Sequence, residues 1–162
     1  MKSVVVFVVA LVCASCSSAF DGEKFTNSGF GFEYSDSIVQ DPEALAKVLG
    51  QPTSRTSVDF NSGNPGGYDV IVTLTYPKIL VEYYSYKEPT TEHPTSQLKA
   101  VYARPGNVYE GIKIGMLIDE LRILLPSIST KDNWIRSKSL NEVTFDIKDD
   151  RVTMIVWTRG SE

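Results

Sequence analysis

Histidine, cysteine and paired carboxylates do much of the chemistry in proteins, and this chain holds few of them. His93 is the one histidine in 162 residues, set between Glu92 and Pro94 in a polar stretch. A Ser-His-Asp relay has to run through it, but no Gly-x-Ser-x-Gly elbow accompanies it. It reads as an exposed loop residue. Both cysteines, Cys13 and Cys16, fall near the start, so residues 17–162 hold no Cys/His set with zinc-binding spacing. Glu110, Asp119 and Glu120 could act as an acid–base pair. Asp119 and Glu120 equally suit the first turn of a helix, whose dipole favours them, and that reading is preferred. Asp149-Asp150 could share a calcium ion, yet acidic residues between two alternating runs are ordinarily turn formers. Gly111-Ile-Lys-Ile-Gly115 has too few glycines to cradle phosphate, and Gly63-Asn-Pro-Gly-Gly67 leads into a strand, not a helix. The expectation is a protein that is not an enzyme, with no cofactor and no metal.

The first residues point to export. Met1-Lys2-Ser3 is a short positive start, and Val4 to Val12 is an unbroken apolar run. A bilayer span needs ~20 apolar residues, so this run suits a secretory leader instead. Ala14-Ser15-Cys16 resembles a bacterial lipobox, departing from it at Cys13, where the pattern prefers Leu. Cleavage after Ser17-Ser18-Ala19 is the competing reading. The lipobox reading implies a signal peptide over 1–15 and lipidation of Cys16. A lipidated N-terminus and flexible tether follow over 16–26, then one domain over 27–162. The lipid on Cys16 then anchors the chain in the cell envelope, with the outer membrane, facing periplasm or surface, as the expected place. The net charge is −4, with the two signs interspersed. That offers no footprint for nucleic acid and no polybasic patch for anionic lipid.

The elements that position the remaining side chains follow from pattern. Asp41-Pro42-Glu43 opens a helix by N-cap, fixed φ and dipole. Its apolar stripe is Leu45, Val48 and Leu49, and Gly50 and Pro52 stop it. Residues 54–67 read as loop. Tyr68–Tyr76 and Ile79–Tyr86 form a hairpin across Pro77-Lys78, with Leu74 facing Val81 and Val72 facing Tyr83. Gln97–Ala103 is a strand and Met116–Leu125 a helix. Residues 127–140 are a connection. Val143–Lys148 and Val152–Thr158 form a last hairpin across Asp149-Asp150. A shift of 76 lays Leu45, Val48 and Leu49 on Leu121, Leu124 and Leu125. A shift of 73 lays Val70, Val72 and Leu74 on Val143, Phe145 and Ile147. The predicted fold class is α+β: two tandem helix-plus-hairpin halves, about 27–95 and 96–162, forming one antiparallel sheet with the helices on one face.

Gly111-Ile-Lys-Ile-Gly115-Met116, with Asp119-Glu120-Leu121 and Leu124-Leu125-Pro126, resembles a motif of the BLIP-like group of small bacterial envelope proteins. The group includes the β-lactamase inhibitor protein and the small lipoprotein of the β-barrel assembly machinery. Leu49-Gly50-Gln51-Pro52 matches the same helix stop more closely. The chain departs from the motif at Leu117, where the group has a capping hydroxyl, and at Pro126, where it has Gly. The resemblance implies a fold and leaves function open.

The two-residue period of strands then sorts side chains by face. Val70, Val72, Leu74, Val81 and Tyr83 form the expected core face of the first hairpin. Val143, Phe145, Ile147, Val152, Met154 and Val156 form that of the last. The opposite face is expected to show Ile71, Tyr84, Tyr86, Ile155 and Trp157, and exposed Tyr and Trp are what protein-binding surfaces use. The expected function is a non-enzymatic envelope lipoprotein that binds another, unidentified envelope protein through this face. The alternatives are an inhibitor of a secreted hydrolase and a small-ligand carrier.

Overall fold

A computed structural model describes residues 20–28, 30–35, 38, 40–61, 63, 67–86, 96–128, 133–136 and 141–159. Asp41 caps the best-formed helix: its Oδ1 accepts from the Glu43 N–H at 2.9 Å. Helix α2 then runs Pro42–Leu49 and ends at Gly50, whose φ of 82° is open to glycine at no steric cost. Helix α1, Gly22–Ser28, precedes it, and α3, Ile118–Leu124, follows in the second half. At the start of α3 the Glu120 carboxylate accepts from the Leu117 N–H at 3.0 Å. Leucine has no oxygen to return the bond, so this is half a capping box, and it compensates for the missing hydroxyl.

The strands are β1 Ser54–Asp59, β2 Val70–Thr75, β3 Ile79–Ser85, β4 Gln97–Ala103, β5 Trp134–Arg136, β6 Asn141–Lys148 and β7 Arg151–Arg159. They form one antiparallel sheet in the order β1-β2-β3-β4-β7-β6-β5. The expected pair of tandem helix-plus-hairpin halves is therefore replaced. The chain builds a four-strand meander and a three-strand meander, joined where β4 meets β7 through Val101↔Trp157 and Tyr102↔Val156. Residues 54–59, expected as loop, are a strand, and so are residues 134–136 within the expected connection. The expected tether, where described from Phe20, is folded: α1 buries Phe25 and Thr26.

One cluster forms the core. It takes Phe25, Phe30 and Phe32 from the N-terminal segment, Leu45 from α2 and Leu121 from α3, over Val72, Val81, Tyr83, Val101, Phe145 and Trp157 of the sheet. Val48 of the expected α2 stripe is instead 56 % exposed. In the last hairpin Asp149 and Asp150 both have positive φ, 51° and 57°, as a two-residue turn matched to strand twist requires. Beyond the turn the register changes. Ile147 faces Val152, but Asp146 faces Met154, so Thr153 is an extra residue bulged out of β7.

Candidate protein-binding face

Cross-strand pairing defines the sheet face away from the core. One row crosses all seven strands: Ser54, Thr75, Leu80, Tyr102, Val156, Thr144 and Trp134. All are exposed or half-buried, and Trp134 is 43 % exposed. A second row runs Val58, Ile71, Tyr84 and Gln97.

Aromatic rings gather at one end of the second row. Tyr84 lies 5.1 Å from Phe60 and 5.8 Å from Tyr68, and Tyr68 lies 4.8 Å from Tyr86, centroid to centroid. All four rings are half-buried. A bulge in β4 sets them beside a polar centre. Tyr83 faces Leu98 while Glu82 faces Ala100, which leaves Lys99 as the extra residue. Lys99 Nζ reaches Glu82 Oε2 at 2.7 Å and sits 5.8 Å from the centre of the Tyr84 ring. The Tyr102 hydroxyl donates to the same carboxylate at 3.0 Å. The hydrogen bond from Lys99 to Glu82 pushes the ammonium pKa up, outweighing the opposite effect of burial. Burial, then the Glu82 charge, raises that of Tyr102. The arrangement is a pinned ion pair flanked by amphipathic rings.

Ile71 and Tyr84 stand where the sequence expects them, directly opposite each other; Tyr86, just past β3, meets Tyr68 and also lines the groove on the helix side. Ile155 and Trp157 do not. Both are fully buried. The Trp157 ring stacks on Tyr34 at 3.7 Å, and its Nε1 donates to Thr26 O at 3.0 Å. The cause is the Thr153 bulge, because one extra residue exchanges the faces of everything after it. Met154 and Val156, expected in the core, take the outer face instead, and both are half-buried. Phe60, Tyr68, Tyr102 and Trp134 are surface aromatics that strand periodicity missed. Phe60 and Tyr68 lie just outside strands, and Trp134 lies in the short β5. Tyr102 was legible: it alternates with Val101 and Ala103.

The opposite side of the sheet holds a groove of about 490 Å³ between the start of α2 and β1. Asp41, Glu43, Arg55, Ser57, Val70 and Val72 are among the residues that line it. Among the described residues no three of His, Cys, Asp and Glu gather to hold a metal ion, and no helix is long and apolar enough to cross a membrane. Cys16 and His93 lie outside the described residues. The chain matches no protein-family model, no curated protein and no solved structure, so its resemblance to the BLIP-like group rests on the short motifs at 44–52 and 111–126.

Proposed function

We propose that this protein is a non-enzymatic envelope lipoprotein, anchored through Cys16, that binds another protein with the outer face of its sheet. The reading is carried by the rings of Phe60, Tyr68 and Tyr84, gathered beside Ile71 on a face turned away from the core, with Tyr86 against Tyr68 at its edge. Aromatic anchors of this kind typically contribute ~2 kcal/mol or more to an interface. Export and anchoring are supported by the apolar run Val4–Val12 followed by Ala14-Ser15-Cys16.

The test is a paired one. Tyr68→Ala/Tyr84→Ala should unfold in urea close to wild type, since both rings are half-buried outside the core cluster. In cross-linking pull-downs from solubilised envelope it should lose the partner that wild type retains. Recovery of the same partner by the folded double variant refutes the binding face. Separately, labelled palmitate should enter wild type and not Cys16→Ala, and no label in wild type refutes the anchor.

A further inference from the structure

We propose that the groove between α3 and the loop before it is the face this protein lays on a bilayer of zwitterionic lipid. The inference rests on the lipid anchor read at Cys16 and says which side of the domain that anchor turns to the membrane. α3 puts Ile118 and Leu121 into the core cluster. Glu120, Ile123 and Leu124, three and four positions apart, share another face of the helix. With Val108, Lys113 and Met116 they line a groove of about 370 Å³. Ile123 is 80 % exposed and Val108 61 %. A lone exposed apolar residue is ordinary. These two come from separate segments and line one groove, the kind of surface that marks a membrane or protein contact.

The start of the domain selects the membrane. The Phe20 ring lies 5.4 Å from that of Phe25, which fixes the entry to α1. At Gly22, the first residue of α1, an added side-chain carbon would stand 3.9 Å from Leu125 Cδ2. Lys24 Nζ reaches Glu110 Oε1 at 3.5 Å. Leu125 and Glu110 are the chain neighbours of Leu124 and Gly111, which both line the groove, so α1 begins at its border. Cys16 precedes Phe20 by four positions, and four extended residues span at most ~14 Å. A domain of this size is on the order of 35 Å across. A lipid on Cys16 therefore holds the start of α1, and the groove beside it, close to the bilayer. Modest apolar contact then suffices, because a short tether raises the effective concentration of the groove at the surface. Ile123 and Val108 enter the boundary between headgroups and acyl chains. Lys113 and Glu120 bring opposite charges to the same groove, which suits headgroups of both signs and gives no preference for anionic lipid.

Fluorescence of the mature lipidated protein in phosphatidylcholine vesicles tests the contact. That form has no free thiol, since Cys13 leaves with the signal peptide and Cys16 bears the lipid. A nitrobenzoxadiazole label can therefore be placed singly, at Val108→Cys, at Ile123→Cys, or at Val58→Cys on the outer face of β1. All three positions are exposed, so labelling leaves the fold intact. The labels at 108 and 123 should be quenched by lipids brominated along their acyl chains, and the label at 58 should not. Adding Ile123→Asp should cut the quench at 108 while the protein still floats with the vesicles. Flotation without quenching at 108 and 123 leaves the anchor standing and overturns the membrane face. So does equal quenching at 58, or a quench at 108 that Ile123→Asp does not change. Labels at 108 and 123 shielded from aqueous iodide but untouched by brominated lipid mean that a second copy or another protein covers the groove, which also overturns it. A wild-type chain that takes up no labelled palmitate and does not float refutes the anchor, and this face with it.

Discussion

The indole of Trp157 lies flat on the ring of Tyr34, with centroids 3.7 Å apart and planes 11° from parallel. A residue of β7 is thus stacked on the segment that follows α1, and the Nε1 bond to Thr26 O ties it to α1 itself. Truncating this fully buried ring should be among the most damaging changes in the chain. Trp157→Ala is expected to lose about 3–5 kcal/mol. Trp157→Phe keeps apolar volume and loses the bond, and should fall between that and wild type. Urea midpoints at fixed m-value measure both.

Tyr34 makes the opposite prediction. Its hydroxyl is buried with no hydrogen-bond partner among the described residues, and burial raises its pKa well above the usual tyrosine value. Removing an unpaired buried hydroxyl while keeping the ring relieves a desolvation penalty. Tyr34→Phe should be neutral or stabilising, by up to about 1 kcal/mol. A clear loss of stability in thermal or urea melts contradicts this environment for the hydroxyl.

Burial separates the residues within each helix: Val48, expected in one stripe with Leu45, is exposed. Leu45 and Leu121 are fully buried, whereas Ile123 is 80 % exposed. Leu45→Ala and Leu121→Ala should each lose about 2–5 kcal/mol, and Ile123→Ala should stay within about 0.5 kcal/mol of wild type. Leu49 is half-buried and belongs between them.

Alkali should unfold the domain through its tyrosines. Burial, then Tyr76 and Asp41, pushes the Tyr83 pKa up, and its hydroxyl donates to Ile38 O at 2.8 Å, a bond the phenolate cannot make. Unfolded tyrosine ionises near pH ~10. Above that value the unfolded state binds fewer protons than the folded one, so stability falls as pH rises. Below it this contribution is fully present. Urea midpoints should be flat with respect to tyrosine up to pH ~10 and then decline. The absorbance of buried phenolate should rise only together with loss of the near-ultraviolet dichroism.

Regular pairing made part of the molecule legible in advance. Leu74 faces Val81 and Val72 faces Tyr83 as the Pro77-Lys78 turn implies, which placed Ile71 and Tyr84 on the outer face. Asp41 and Gly50 marked the ends of α2 by capping and φ alone. The rest left no periodic trace. β1 buries nothing, so selection for alternation is absent, and Ser54–Asp59 looks like loop. α1 buries only Phe25 and Thr26, too few to show a helical stripe. Thr153 carries no mark of being the bulged residue, although it alone decides that Trp157 packs inward. Phe60, just past β1, and Tyr68, just before β2, meet the ring of Tyr84 in β3, which strand periodicity does not report.

β7 sets a condition on the order in which the domain can form. It follows every other described element in the chain, and it is the strand on which the others converge. β6 pairs along it, and β4 joins it at Val156 and Trp157. The loop before α3 docks on it through the Gly115 N–H to Val152 O at 2.7 Å, while the Val152 N–H returns to Met116 O at 2.9 Å. α1 reaches it across 131 positions through Thr26. Contacts so distant in sequence close slowly, because loop entropy is lost before they reward it. The first meander can pair early by hairpins, but the edge of β4 stays unpaired until β7 arrives. The union of the two meanders is therefore a late event, and β4 spends the interval as an open sheet edge.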